Sequence, residues 1–221
     1  MPYCAECKNQ PCRYGKELEN TPKGCPSVDM PHEVTLARYS EEEKMMSREA
    51  ALVESHGYGQ LTRIEEIMDY SIRCGYKKLG IAFCVGFSGE ATTLSKIFRE
   101  NGFEVESVCC KNGEVPKPMM GVERKDWLRP ENDIEIMCNP AGQAAAMNAS
   151  DVDMVVILGL CVGHDTIFMK HCEKPMTYGV VKDRKLGHNP AAALYCSDSY
   201  LRGIHKFREN YWPDGKEKNA R

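Results

Sequence analysis

Apolar positions along this chain follow two rhythms. Between Ser40 and Gly75 they recur at helical spacing. Ser40 with Glu43 forms a capping-box signature ahead of EEKMMSREAALVESHG, with Gly57 as the stop. Thr62 with Glu65 repeats the device, with Leu61, Ile64, Ile67, Met68 and Ile72 on one face and Gly75 just past the end. After Lys78, short apolar runs alternate with helical stretches. LGIAFC (79–84), FEVESVCC (103–110), MVVILGLC (154–161) and MTYGVV (176–181) predict strands, and IEIMC (134–138) is a shorter strand-like run. SGEATTLSKIFRENG (88–102), PAGQAAAMNAS, HDTIFMKHC and a stretch from Asn189 predict the intervening helices. Such alternation, with nearly continuous apolar strands, predicts an α/β fold: a mostly parallel, Rossmann-like sheet covered by helices on both faces.

The first thirty residues obey neither rhythm. They hold four cysteines, four prolines (Pro2, Pro11, Pro22, Pro26) and two glycines, and cannot bury a core by themselves. Something other than apolar packing must order them. The expected organisation is therefore a Cys-rich metal-binding segment over 1–35 and an α/β domain over 36–210, with two leading helices and then βαβα units. A charged, frayed tail over 211–221 completes it. The charge run Glu41 to Lys44 reads as a solvated helix face.

Composition narrows the function classes. With 42% hydrophobic and 28% charged residues the chain is ordinary for a globular protein. A net charge of -3 gives no positive field for nucleic acid or an anionic membrane. The longest apolar run, Met154 to Val162, falls far short of the ~20 residues of a membrane helix. The N-terminus MPYCAEC shows no export signal, which predicts a cytoplasmic protein whose partner is a small-molecule substrate or an electron-transfer protein, with a homodimer allowed. In that compartment 12 cysteines in 221 residues read as metal ligands or redox thiols rather than disulfides. Cys74, Cys172 and Cys196, in helix-like stretches, read as small core hydrophobes.

Two cysteine sets carry the chemistry. Cys4, Cys7, Cys12 and Cys25 read C-x2-C-x4-C-x12-C with Pro26 directly behind. Four thiolates in a coreless segment suit a cubane iron–sulfur cluster or a tetrahedral zinc; the Cys-Pro ending favours the cluster, and zinc stands as the alternative. The second set, Cys84, Cys110 (or Cys109), Cys138 and Cys161, falls at strand ends. In a parallel sheet those ends share the edge where open α/β folds hold ligands, so an iron–sulfur cluster, 4Fe–4S by preference, is expected there. Adjacent strand residues face opposite ways, and Cys110, nearer the loop, is the chosen ligand. FCVGFSGEATTL and LCVGHDTIFM echo each other, with Ser88 and Asp165 as expected helix N-caps. Asn139-Pro140 and Asn189-Pro190 are expected helix starts. His164 and His188, each in a strand-to-helix loop, are the candidate catalytic residues, with Asp165 and Asp183 to orient them.

The segments C-x2-C-x4-C…C-P, CVGFSGE, CNP, GLCVGHDTIF and LGHNPAAALY together resemble an uncharacterised family of bacteria and archaea known only as metal-binding proteins. The resemblance spans nearly the whole chain and implies metal binding, with no reaction attached. Redox or sulfur-handling chemistry on a small molecule is the expected function. A non-catalytic metal carrier or redox sensor with a structural zinc near the N-terminus is the alternative. The only C-x2-C lies in the coreless segment, which argues against a disulfide oxidoreductase of the usual motif. Glycine-rich phosphate loops and G-x-S-x-G elbows are missing.

Overall fold

A computed structural model describes residues 4–8, 10–15, 18 and 21–208. The tail expected over 211–221 lies outside the described residues. The chain divides into two compact units, Met1–Gln60 and Leu61–Arg221.

In the first unit, single turns of 3-10 helix at Cys4–Glu6 and Pro11–Tyr14 precede three helices: α1 (Pro26–Asp29), α2 (His32–Leu36) and α3 (Glu41–Gly57). Pro26 occupies the first position of α1, where its missing N–H costs nothing. The capping box of α3 is complete: Glu43 N–H donates to Ser40 Oγ at 3.1 Å, and Ser40 N–H donates to Glu43 Oε2 at 2.8 Å. Residues 41–44 are exposed, as a solvated face should be.

The second unit opens with α4 (Arg63–Arg73), again behind a complete capping box, and Gly75 follows it at φ 75°. Ile67 and Ser71 are its buried residues, whereas Ile72, expected on the inner face, is 62% exposed. Ser71 takes the inward place because its hydroxyl donates to Ile67 O at 2.7 Å and needs no other partner. The sheet then follows: β1 (Lys78–Phe83), α5 (Ser88–Glu100), β2 (Glu104–Cys109), α6 (Pro140–Ala149), β3 (Met154–Leu158), α7 (His164–His171), β4 (Met176–Val180) and α8 (Ala191–Tyr195).

All four strands are parallel, in the order β2-β1-β3-β4. The two central strands are the most buried. Leu79, Ile81, Ala82, Val155, Val156 and Ile157 have no exposed surface at all. Side-chain parity places the helices. A Cβ on Gly80 would meet Met147 of α6, whereas Phe83, of opposite parity, lines a cavity with Ser88, Ala91 and Thr92 of α5. So α5 and α6 cover opposite faces, with α7 packed beside α6. The architecture is α/β with a flanked parallel sheet, as the apolar rhythm predicts.

Two expected elements differ. IEIMC forms no strand: Ile136 makes a lone antiparallel bridge to Pro116. The run is short, and Pro116 has no N–H with which to extend a ladder. The last helix begins at Ala191, with Pro190 rather than Asn189 at the N-cap position. Asn139, by contrast, caps α6 as expected, its Oδ1 accepting from Gly142 N–H at 2.9 Å. Among the described residues no helix is long and apolar enough to cross a membrane.

Phe98 of α5 is fully buried and meets the Phe103 ring edge-on at 6.1 Å between centroids. Phe98→Ala should lower stability by about 3–5 kcal/mol, read as a reduced urea midpoint at unchanged m-value.

Candidate functional site

In the order β2-β1-β3-β4 the chain winds outward from β1 to β2, then returns across β1 to β3. The winding therefore reverses between β1 and β3, and open α/β sheets place ligands at that reversal, beyond the carboxyl ends. Cys84 directly follows β1, and Cys161 lies in the turn after β3. Cys110 follows β2, and Cys138 stands next to Asn139, the cap of α6.

The four thiols meet. Cys84 is in hydrogen-bonding contact with both Cys161 and Cys110, and Cys110 with Cys138. The contacts order them as a line, Cys161, Cys84, Cys110, Cys138. Cys110 rather than Cys109 is in it, because Cys109 is the last residue of β2 and its side chain takes the opposite parity. The frame is built from backbone and amides. Cys110 N–H donates to Phe83 O at 2.9 Å and Asn139 N–H to Cys110 O at 2.7 Å. Asn112 Nδ2 reaches both Cys109 O and Asn139 O. Gln143 of α6, fully buried, donates to Phe83 O and Val108 O, tying the ends of β1 and β2 together.

Cations complete the site. Lys182, just past β4, places Nζ 2.6 Å from Cys84 Sγ and 3.6 Å from Cys161 Sγ. Arg184 donates to Cys161 Sγ at 3.2 Å, and Val85 N–H to Cys110 Sγ at 3.3 Å. The hydrogen bonds from Cys110 and Cys161, with the Lys182 ammonium, hold Cys84 far below the usual thiol range against the opposing effect of burial. Cys138 is drawn down to about 5, by Cys110 first and by the charges of Lys111 and His164. Cys110, between two thiolates and buried, is pushed far up, and Cys161 is raised by Cys84 and burial despite Arg184. Sequence reading missed Lys182 and Arg184. The available signal was position: charged residues just beyond the apolar strand MTYGVV, on the edge already assigned to the cysteines.

His164 begins α7, and its Nδ1 is buried with no hydrogen-bond partner among the described residues. Asp165 does not serve it. That carboxylate accepts from Gly163 N–H, Thr166 N–H and the Tyr178 hydroxyl, anchoring α7 to β4. Nor is Asp165 an N-cap: Gly163 holds that position at φ 88°, and Ser88 is likewise the first residue of α5 rather than its cap. The echo between the two cysteine turns thus extends to the sulfurs but not to the capping. Phe87 is buried behind Cys84, where the equivalent turn has the half-buried His164, after Val162 at 93% exposure. His188 adopts φ 65°, unusual for a residue with a Cβ, and packs on Phe87 at 4.6 Å between ring centroids. Its Nδ1 accepts Asp183 N–H at 3.1 Å, leaving Nε2 to carry the proton of the neutral ring.

In the first unit Cys4, Cys7, Cys12 and Cys25 line one cavity of 220 Å³ with Gln10, Pro11, Arg13, Pro22 and Ser27. Cys4 and Cys7 bracket a turn closed by Cys7 N–H to Cys4 O at 3.2 Å. All are free thiols. Among the described residues no three His, Cys, Asp or Glu side chains are grouped closely enough to hold a metal ion. Of the presumed core cysteines, Cys172 packs partly buried against the core, and burial raises its thiol.

A family described as "Protein of unknown function (DUF1847)" matches residues 25–178. The chain belongs to this family. An uncharacterized protein of Methanocaldococcus jannaschii is 37% identical over 193 residues, covering 87% of this chain and 93% of the relative. No solved structure matches the chain. The family match includes Cys25 and the four sheet-edge cysteines, and stops short of Lys182, Arg184 and His188.

The lowering of Cys138 is testable. In metal-free protein, alkylation of Cys138 by iodoacetamide should stay nearly flat from about pH 6 to 8 and fall only as pH drops through about 5, because the thiolate is the reactive form. An ordinary thiol near pKa 8.5 would gain about tenfold per pH unit over that range. Peptide-resolved mass spectrometry separates the two outcomes.

Proposed function

We propose that this protein binds metal through its cysteines. An iron–sulfur centre is held at the sheet edge by Cys84, Cys110, Cys138 and Cys161, and a second metal site lies at Cys4, Cys7, Cys12 and Cys25. The sheet-edge centre serves redox or sulfur-handling chemistry on a small molecule, in the reducing cytoplasm and with an electron-transfer protein as the other candidate partner.

The observation that carries this reading is the meeting of four thiols from four chain segments at the winding reversal, with Lys182 and Arg184 donating to the sulfurs. Packing alone has no need of it. Aliphatic side chains would fill the space without bringing the partly buried Lys182 ammonium and a guanidinium against sulfur. The donor set fits a thiolate-bound cluster, whose sulfurs are tuned by N–H donors and partial burial. The thiol-lined cavity of 220 Å³ near the N-terminus exceeds what one bare ion occupies.

Bound at the sheet edge, such a centre supplies one-electron transfer or an open iron as Lewis acid. The chain supplies the rest. Lys182 and Arg184 balance thiolate charge, and Phe87 and Cys84 shield the inner side from water. His188 Nε2 and the ring of His164 are placed to hold or deliver a proton at the rim.

Anaerobically purified protein should be brown, with iron and acid-labile sulfide in equal amounts. Cys84→Ala and Cys161→Ala should each remove the sheet-edge share and leave the N-terminal one; Cys7→Ala should do the reverse. Metal content unchanged by Cys84→Ala and Cys161→Ala would remove the sheet-edge centre. A colourless chain with one zinc, lost in Cys7→Ala, would establish the metal-carrier reading instead.

A further inference from the structure

Four thiols in a line can be paired completely in one way only, end with neighbour at each side. Here that pairing is Cys161 with Cys84 and Cys138 with Cys110. Burial divides each pair in the same sense: Cys84 is 6% exposed and Cys110 2%, whereas Cys161 and Cys138 are partly open to solvent. Each pair thus joins one buried cysteine to one that is partly exposed. One ammonium, Lys182 Nζ, lies against both sulfurs of the first pair, at 2.6 Å and 3.6 Å. Arg184 touches only the partly exposed one.

From this geometry we infer a second activity of the site: without metal it is a four-thiol reductant of low-molecular-weight disulfides, closing Cys84–Cys161 and Cys110–Cys138 bonds. The inference concerns the same cysteines as the proposed metal centre and needs their contacts, but no bound metal.

The steps balance. The Cys161 thiol gives up its proton to solvent as its sulfur attacks one sulfur of a small disulfide RSSR, forming a Cys161–SR mixed disulfide and expelling RS⁻. The Cys84 thiolate then attacks Cys161 sulfur, expels the second RS⁻ and leaves the internal bond. Two electrons leave the pair and reduce RSSR to two RS⁻, which take up the proton released by Cys161 and one from solvent to become two RSH. Cys138 and Cys110 repeat the sequence with a second RSSR. Lys182 Nζ, in contact with both the Cys84 and the Cys161 sulfur, holds the resolving sulfur beside its target. This chemistry is invisible to motif reading, because each pair joins segments far apart in the chain rather than lying in C-x2-C.

The test uses the full chain, stripped of metal under argon and treated with oxidised glutathione, followed by non-reducing peptide mapping. The expected result is two cross-linked species, Cys84 with Cys161 and Cys110 with Cys138, with Cys109 and Cys172 still free. In Cys84→Ser, glutathione should remain attached to Cys161 while the Cys110–Cys138 bond still forms. A Cys84–Cys110 bond as the main product, lasting glutathione adducts on wild-type Cys161, or no internal bond would each overturn the inference. Metal analysis of the untreated chain keeps the two readings apart. A chain that binds iron but forms neither bond refutes only the disulfide activity, and one that forms both bonds but holds no metal refutes only the metal centre.

Discussion

A sulfur buried beside other sulfurs is held charged by the donors brought to it, and in this protein Lys182 adds an ammonium to the thiol hydrogen bonds around Cys84. Its ammonium stands between the sulfurs that follow the two central strands. Remove it and Cys84, almost without solvent exposure, would lose the only ammonium hydrogen-bonded to its sulfur. The protons along the thiol line would then redistribute, because each thiol's affinity is set by its neighbours. The position of Lys182 depends in turn on β4 pairing in parallel with β3, so the chemistry of the site is tied to the outermost strand of the sheet.

The loop beyond β4 is built to carry this load. Asp183 accepts from Lys185 N–H and Leu186 N–H, while its own N–H and C=O engage His188. The loop closes on itself, and His188 pays with a left-handed backbone for its seat on Phe87. Phe87 itself presses against the backbone at Gly159, where a Cβ would collide with the ring. An imidazole, an ammonium and a guanidinium are thereby held over one rim. Strain of this kind, held by the surrounding contacts, is characteristic of functional sites.

The Cys-rich segment answers a different constraint. Its turns are short, its cysteines are partly or fully exposed, and none of its described residues before Pro31 is buried. Apolar packing therefore contributes little to its order, and ligation by its four thiols is the available substitute. The sheet unit needs no such help, since β1 and β3 are enclosed by helices on both faces. Two kinds of cysteine site thus coexist in one chain: one whose ligation would order its surroundings, and one whose surroundings are ordered already.

Much of this was legible in the residues alone. Apolar periodicity located all four strands and the long helices, capping pairs marked the starts of α3 and α4, and the placement of cysteines at strand ends singled out the edge that matters. These signals are local, since side-chain spacing and capping act over a few residues. Periodicity missed the inward turn of Ser71 and overread IEIMC, where a proline in the facing segment limits pairing. Strand parity separated Cys109 from Cys110, and nearness to the loop chose Cys110. What the chain order alone could not decide was adjacency: which sulfur touches which, and which cation serves them. Those contacts join residues 21 to 98 positions apart, and they exist because β3 crosses back beside β1 and β4 pairs beyond it. Strand order is settled by the packing of the whole sheet, so the thiol line and its lysine appear only with the tertiary fold.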